Sequence, residues 1–164
     1  MELIDLLLPA AALLCTLVAG FLFAFAIVVM PGIGALGDLE FLRSFKAMDL
    51  VIQNNHPVFI IVWVGSAFAA IAAGVLSVWQ MEGIERILVV AASAVYILGV
   101  QVPTAVVNVP LNNRLQALDL EKLSEKELAE ERARFEIPWL RWNWLRTVIA
   151  TLVSAAHIVA ALLE

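Results

Sequence analysis

Polar side chains recur at helical spacing in two otherwise apolar stretches of this sequence. In the first stretch they fall at offsets of 3, 7 and 11 residues and so share one helical face: Gln101, Thr104, Asn108 and Asn112. The second stripe lies near the C-terminus: Asn143, Arg146, Thr147, Thr151 and Ser154. Amides, hydroxyls and a guanidinium all form hydrogen bonds, so the two stripes together could hold the polar end of a ligand.

A third polar group, Gln53 to His56, precedes the apolar run that begins at Pro57. Structural interpretations compete with functional ones here, because Asn54 and Asn55 suit a turn before a proline and His56 suits a membrane interface. Two interpretations also compete for Arg146, near the start of the second stripe. A role in a site and a structural role, in which it joins helices through hydrogen bonds, are equally supported.

The composition indicates a membrane protein. The chain has 164 residues, of which 63% are hydrophobic, and its mean hydropathy is +0.95. The first apolar run lacks a basic segment before it and is long, so we expect a retained span rather than a cleaved signal. No Lys/Arg cluster suggests nucleic acid, and no Cys/His spacing resembles a metal site, so neither is expected.

Four apolar runs are each long enough to cross a bilayer as a helix: residues 6–30, 57–80, 87–109 and 144–163. We therefore predict an all-α fold, an integral membrane four-helix bundle forming a single domain over residues 1–164. Two long loops, residues 31–56 and 110–143, connect the spans.

Each long loop is predicted to contain a further helix. In the first, residues 37–55 place Phe41, Phe45, Met48 and Ile52 at helical spacing, which predicts a short interfacial amphipathic helix with Asp49 elsewhere around it. In the second, Ser124 and Glu127 fit a capping box, which predicts a charged surface helix of about three turns.

The distribution of positive charge predicts the orientation. Nine of the ten Lys and Arg residues lie in the two long loops or at their edges, and only Arg86 lies on the other side. By the positive-inside rule, both long loops are cytoplasmic and both termini are outside, in the plasma (inner) membrane.

This topology brings the polar groups to the same end of the bundle. Span three ends there, and spans two and four begin there. Span one adds Phe21 and Phe25, so we expect a pocket with an aromatic floor and a polar rim, open to the cytoplasmic leaflet. Of the nearby tryptophans, Trp139 and Trp144 are interpreted as interfacial anchors, and Trp142 as intermediate between anchor and site.

Four sequence elements resemble the anthrone oxygenase-like family, a domain-of-unknown-function family of small four-helix membrane proteins. The most specific are "NVPLNNRL" at the end of span three and "WLRWNWLRT" at the start of span four. "GFLFAFAIVVMPG" and "VIQNNHPVF" are also similar. By position, the resemblance implicates Asn108, Asn112, Asn143 and Arg146, with Trp142 beside them. The best-known members oxidise anthrones to anthraquinones with molecular oxygen.

The resemblance and the placement of these residues at one end of the bundle together predict a set of roles. The catalytic residues would be Arg146, Asn112 and Asn143, which would stabilise an oxyanion, and His56, which would serve as the base, with Asp49 and Glu136 in reserve. The substrate-binding residues would be these: Asn108, Trp142, Phe21, Phe25, Gln53 and Asn54. Molecular oxygen would be the co-substrate, and no cofactor or metal is expected.

Two other classes of function remain open. A non-enzymatic membrane binding or accessory protein could use the same pocket for a lipid, a quinone or a partner. A haem subunit is less favoured, because His56 and His157 are expected in opposite leaflets. The expected partners are membrane lipid and a lipophilic small molecule. A homodimer is compatible with small residues four apart on span two: Gly65, Ala69 and Ala73.

Overall fold

The computed structural model describes residues 2–163 and confirms the all-α prediction. Residues 2–163 are almost entirely helical and form no strand. Four helices are long and apolar enough to cross a membrane, and we call them spans one to four: Leu3–Gly34, Pro57–Gln80, Gly83–Gln116 and Glu125–Leu163. A fifth, short helix runs from Asp38 to Gln53.

Each span packs against two others, so the four helices form a closed ring. Span one packs on spans two and four, and span three packs on the same two. Small and apolar side chains such as Cys15, Ala70 and Ala150 fill the centre. Large apolar side chains such as Phe68 and Leu152 are exposed on the outer surface, as expected for helices that face lipid.

The small residues of span two are used inside the bundle. Ala69 and Ala73 are buried in the core that joins spans one and two. A Cβ built on Gly65 would lie 3.6 Å from Leu14 of span one, and one on the neighbouring Gly74 would lie 2.8 Å from Cβ of Ser93 of span three. The stripe therefore packs within one chain, and the homodimer stays a prediction without an assigned surface.

The short helix packs its aromatic face against span four. Phe45 contacts Phe135 with a ring-centroid distance of 4.4 Å, and Phe41 lies beneath the guanidinium of Arg132 at 4.4 Å. Asp49 follows Phe41 and Phe45 at intervals of four residues and is buried with them. The placement of Asp49 elsewhere around this helix was therefore wrong.

The charged helix is present and continues directly into span four. Its start carries the predicted capping box, in which the Ser124 amide donates to Glu127 Oε2 at 2.8 Å. The apolar run predicts that span four begins near residue 144, whereas the helix runs unbroken from Glu125 and includes Pro138. Packing of Phe135 and Trp139 against the short helix explains how this stretch stays helical through a proline.

Two prolines inside the spans, Pro31 and Pro103, lie close to wider, π-helical turns. In span three, Ile97–Gln101 and Thr104–Asn108 are π-helical and flank Pro103. In span one, the π-helical stretch Phe25–Val29 precedes Pro31, and that helix continues to Gly34 instead of ending at the proline. Such turns accommodate the backbone that proline leaves unpaired and are frequent at functional sites.

Candidate functional site

A cavity of about 170 Å³ lies at the end of the bundle where span one ends and span two begins. All four spans and the short helix contribute to its wall. Its apolar lining consists of Phe21, Leu22, Phe25, Phe45, Ile52, Phe59, Trp63, Val109 and Trp139. Its polar lining consists of Asp49, Thr104, Asn108, Asn112, Asn143 and Arg146.

Arg146 is a buried cation on this wall, with only 3% of its surface exposed. Its Nη1 donates to Oγ1 of Thr104 at 2.7 Å, and its Nη2 donates to Oδ1 of Asn143 at 3.2 Å. Its Nε has no hydrogen-bond partner, and no carboxylate within residues 2–163 lies within ion-pairing distance. A buried guanidinium held only by neutral groups retains an uncompensated positive charge.

Two asparagines support this region from neighbouring helices. Asn143 is fully buried and donates from Nδ2 to the carbonyl oxygen of Leu22 at 3.0 Å, which joins spans four and one. Asn108 donates from Nδ2 to the carbonyl oxygen of Trp139 at 3.4 Å. Oδ1 of Asn108 is buried without a partner among the described residues. The wall therefore contains an unused acceptor as well as the unused Nε donor of Arg146.

A second polar cluster is centred on the carboxylate of Asp49, which is 4% exposed. Asn112 donates from Nδ2 to Asp49 Oδ1 at 2.7 Å. Gln53 and Gln116 donate from Nε2 to Asp49 Oδ2 at 2.7 and 2.8 Å. Trp139 in turn donates from Nε1 to Asn112 Oδ1 at 2.9 Å. The cluster therefore links the short helix with spans three and four.

Aromatic rings form the rest of the wall. Phe59 and Trp63 are stacked, with ring centroids 5.4 Å apart and planes inclined by 18°. Phe21 meets Phe59 edge-on at 5.4 Å, and Phe25 lies 5.7 Å from Trp139. Flat apolar surfaces of this kind suit a planar, lipophilic ligand.

The structure brings together six of the ten residues that the sequence analysis assigned to a site, and these line the cavity: Phe21, Phe25, Asn108, Asn112, Asn143 and Arg146. The other four lie outside the lining: Gln53, Asn54, His56 and Trp142. Gln53 still reaches the site through its bond to Asp49, whereas Asn54 and His56 are exposed in the turn before span two. The catalytic and binding roles of all ten stay predictions.

Several lining residues were missed or assigned otherwise. Trp139, interpreted as an interfacial anchor, is 5% exposed and lines the cavity, whereas Trp144 is 46% exposed. Helical spacing could have identified Trp139, because it precedes Asn143 by four residues and Arg146 by seven. The same spacing relates Asp49 to the two buried phenylalanines before it.

The remaining titratable candidates lie elsewhere. His157 is fully buried and lies 3.3 Å from Oγ of Ser93, away from the cavity lining. Glu136 accepts from Arg132 at 2.8 Å. Across residues 2–163, no group of three His, Cys, Asp or Glu side chains is placed to hold a metal ion.

Comparison with known proteins identifies the family. Neither the curated proteins nor the solved structures provide a match to this chain. The family model described as "Anthrone oxygenase" matches residues 50–156, which include spans two and three and most of span four. Because the match covers more than half of the sequence and includes the polar residues of spans three and four that line the cavity, this chain belongs to the anthrone oxygenase family.

Proposed function

We propose that the protein is a membrane-embedded oxygenase that oxidises a lipophilic aromatic ketone of the anthrone type with molecular oxygen and without a cofactor. Family membership and the cavity support this proposal. The observation that carries it is the burial of Arg146, a cation without a carboxylate partner among the described residues, in an aromatic-lined cavity.

The uncompensated charge of Arg146 favours a ligand oxygen that is negative or becomes negative. A guanidinium presents several N–H donors, and two of its nitrogens are already oriented by Thr104 and Asn143. Preoriented donors stabilise a developing oxyanion most strongly where water is excluded. Arg146 would therefore bind the ketone oxygen and stabilise the enolate form of the substrate.

The proposed reaction consumes one oxygen molecule and releases one water. An anthrone has an acidic CH₂ group opposite its carbonyl group. Removal of one proton gives an anthracenolate, which passes an electron to oxygen, and recombination forms a carbon–peroxide bond. Loss of the second hydrogen from that carbon, with cleavage of the O–O bond, gives the quinone carbonyl and hydroxide. The hydroxide takes up the first proton as water, so atoms and electrons balance.

The proposed setting is the plasma (inner) membrane, with the cavity near the cytoplasmic leaflet. Nine Lys and Arg residues in or beside the two long loops support this orientation. A lipophilic substrate would reach such a site from the bilayer, and the exposed apolar surface of the spans is compatible with that environment.

Oxygen consumption with unsubstituted anthrone, in detergent or vesicles, tests the proposal. Arg146→Gln is expected to lower kcat by about 10²- to 10³-fold, the usual cost of removing an oxyanion donor. Arg141→Gln is the matched control, because Arg141 is exposed on the same helix. Wild-type protein that folds and does not accelerate anthrone oxidation above a protein-free control would contradict the proposal.

Native mass spectrometry separates an enzyme from a binding protein. The alternative is a membrane binding or accessory protein that holds a lipid, a quinone or a partner in the same cavity. Retention of anthraquinone by the wild type, together with no oxygen consumption, would favour that alternative. A Soret band or a bound metal in the purified protein would exclude the cofactor-free mechanism.

A further inference from the structure

We propose that Asp49 is the proton acceptor of this site, and that the substrate binds with its acidic C–H group toward Asp49 and its ketone oxygen toward Arg146. This inference rests on the proposed function and adds a base and a substrate orientation to it. It also defines the substrate class: aromatic ketones whose acidic carbon and carbonyl group lie at opposite ends of one ring system.

Asp49 is buried, and no cation among the described residues accompanies it. Its side chain lines the cavity and is 4% exposed, and within residues 2–163 no Lys, Arg or His lies within ion-pairing distance of it. A neutral side chain could join the short helix to span three at lower cost, because a buried carboxylate loses its hydration. The retained charge therefore points to chemistry.

The hydrogen bonds around Asp49 have defined directions. An indole N–H can only donate, so the bond from Trp139 requires the carbonyl oxygen of the Asn112 side chain to face it. The amide nitrogen of Asn112 must then face Asp49, which accepts. Likewise, Gln116 donates from Nε2 both to the carbonyl oxygen of Lys46 and to Asp49 Oδ2, which fixes the orientation of that amide.

These bonds leave Asp49 able to accept a proton. A carboxylate has about four lone-pair sites. Three amide nitrogens occupy three of them, two on Oδ2 and one on Oδ1. One lone pair of Oδ1 therefore has no donor among the described residues, on a carboxylate that lines the cavity.

The opposite charges of Asp49 and Arg146 are kept apart in the cavity wall. Asp49 and Arg146 line the same cavity and do not form an ion pair with each other. Two buried opposite charges that remain apart suit a ligand that loses a proton at one end and gains negative charge at the other. An anthrone-type ketone has this polarity, because its CH₂ and carbonyl groups lie on opposite sides of the central ring.

The competing bases are placed less well. His56 is exposed outside the cavity lining. Glu136 is outside the lining as well and is engaged by Arg132. In the proposed step the C–H bond breaks, its electron pair delocalises onto the ketone oxygen beside Arg146, and the proton binds Asp49. Protonated Asp49 returns that proton to the hydroxide released later, which forms water.

Hydrogen–deuterium exchange under nitrogen tests the proton transfer separately from oxygen chemistry. Anthrone is incubated with the detergent-solubilised protein in D₂O, and mass spectrometry follows the exchange of its CH₂ hydrogens above a protein-free control. The wild type is expected to accelerate exchange, and Asp49→Asn to lower that acceleration at least about 100-fold. The matched control is Glu40→Gln, an exposed carboxylate on the same helix, which should exchange as the wild type does.

Each outcome decides one of the two proposals. If the wild type accelerates exchange but consumes no oxygen, the oxygenase proposal is overturned. If Asp49→Asn then abolishes the exchange, Asp49 is supported as the proton acceptor. The role of Asp49 would be overturned if Asp49→Asn exchanges at the wild-type rate, or if exchange is lost in His56→Gln instead. It would also be overturned if the wild type does not accelerate exchange. If Asp49→Asn does not fold, Asp49→Glu decides: a shifted carboxylate should change the exchange rate at least about tenfold, and an unchanged rate contradicts the proposal.

Discussion

The indole nitrogen of Trp139 lies 2.9 Å from Oδ1 of Asn112, and this bond joins span four to span three at the cavity wall. This bond orients the Asn112 amide so that its nitrogen donates to Asp49. Trp139 of span four thereby orients a carboxylate on the short helix. Its ring also packs against Phe25 and Phe45, so it contributes to the apolar wall as well.

Trp139→Phe should weaken both stability and activity. The phenyl ring retains most of the packing, but Asn112 Oδ1 loses its donor, which costs about 1–3 kcal/mol in unfolding free energy. Denaturation in mixed detergent micelles, followed by circular dichroism, measures this loss. The amide of Asn112 can then rotate, so anthrone exchange should fall with little change in KM.

Trp144→Phe is the matched control for Trp139→Phe. Trp144 is exposed on the same helix and outside the cavity lining. Equal effects of the two substitutions on unfolding and on exchange would mean that Trp139 contributes only as an aromatic ring. The orienting role of its N–H would then be refuted.

Gly74→Ala should destabilise the bundle. A Cβ at this position would lie 2.8 Å from Cβ of Ser93, and neither atom is the end of a flexible side chain. Spans two and three would have to separate, and overpacking of this kind costs about 1–3 kcal/mol. Denaturation in mixed micelles measures the change.

Gly20→Ala provides the opposite case on span one. Among the described residues, no heavy atom outside the adjacent backbone of the same helix lies within 4 Å of the added Cβ, so the substitution should be neutral or stabilise the helix by up to about 1 kcal/mol. If Gly74→Ala is as stable as Gly20→Ala, the close approach of spans two and three does not exist in the folded protein.

Accessibility of single cysteines tests the proposed orientation. Cys15 is buried and is the only cysteine, so a Cys15→Ala background allows one thiol to be introduced at a time. In cells treated with a membrane-impermeant maleimide, Glu85→Cys should be labelled from outside, whereas Asp119→Cys should be labelled only after lysis. The reverse pattern would place both long loops outside.

The spans could be predicted from the sequence because length and hydropathy are averaged over many residues. The same is true of the stripe on span three, because helical spacing relates Asn108 to Asn112 without knowledge of neighbouring helices. Residue type alone does not predict burial where one type of side chain suits two environments. Trp139 and Trp144 both suit an interface, and only packing against the short helix distinguishes the buried ring from the exposed one.

The pairing of Asp49 with Asn112 could not be predicted, since it depends on how the short helix packs onto the bundle. Asp49 and Glu136 were equivalent as reserve bases in the sequence. The structure distinguishes them by place, one in the cavity lining and the other beside Arg132. Such contacts between segments far apart in sequence follow from tertiary packing, which local periodicity does not encode.

The two π-helical stretches that flank Pro103 have an evolutionary consequence. Each widened turn accommodates extra chain length, so a change of one residue here can be absorbed without turning the rest of span three. Loss of one codon within Thr104–Asn108 would let the widened turn close to an ordinary α-helical turn and leave Asn112 facing Asp49. Relatives that differ here by a single insertion or deletion would thus share the scaffold and the placement of Asn112.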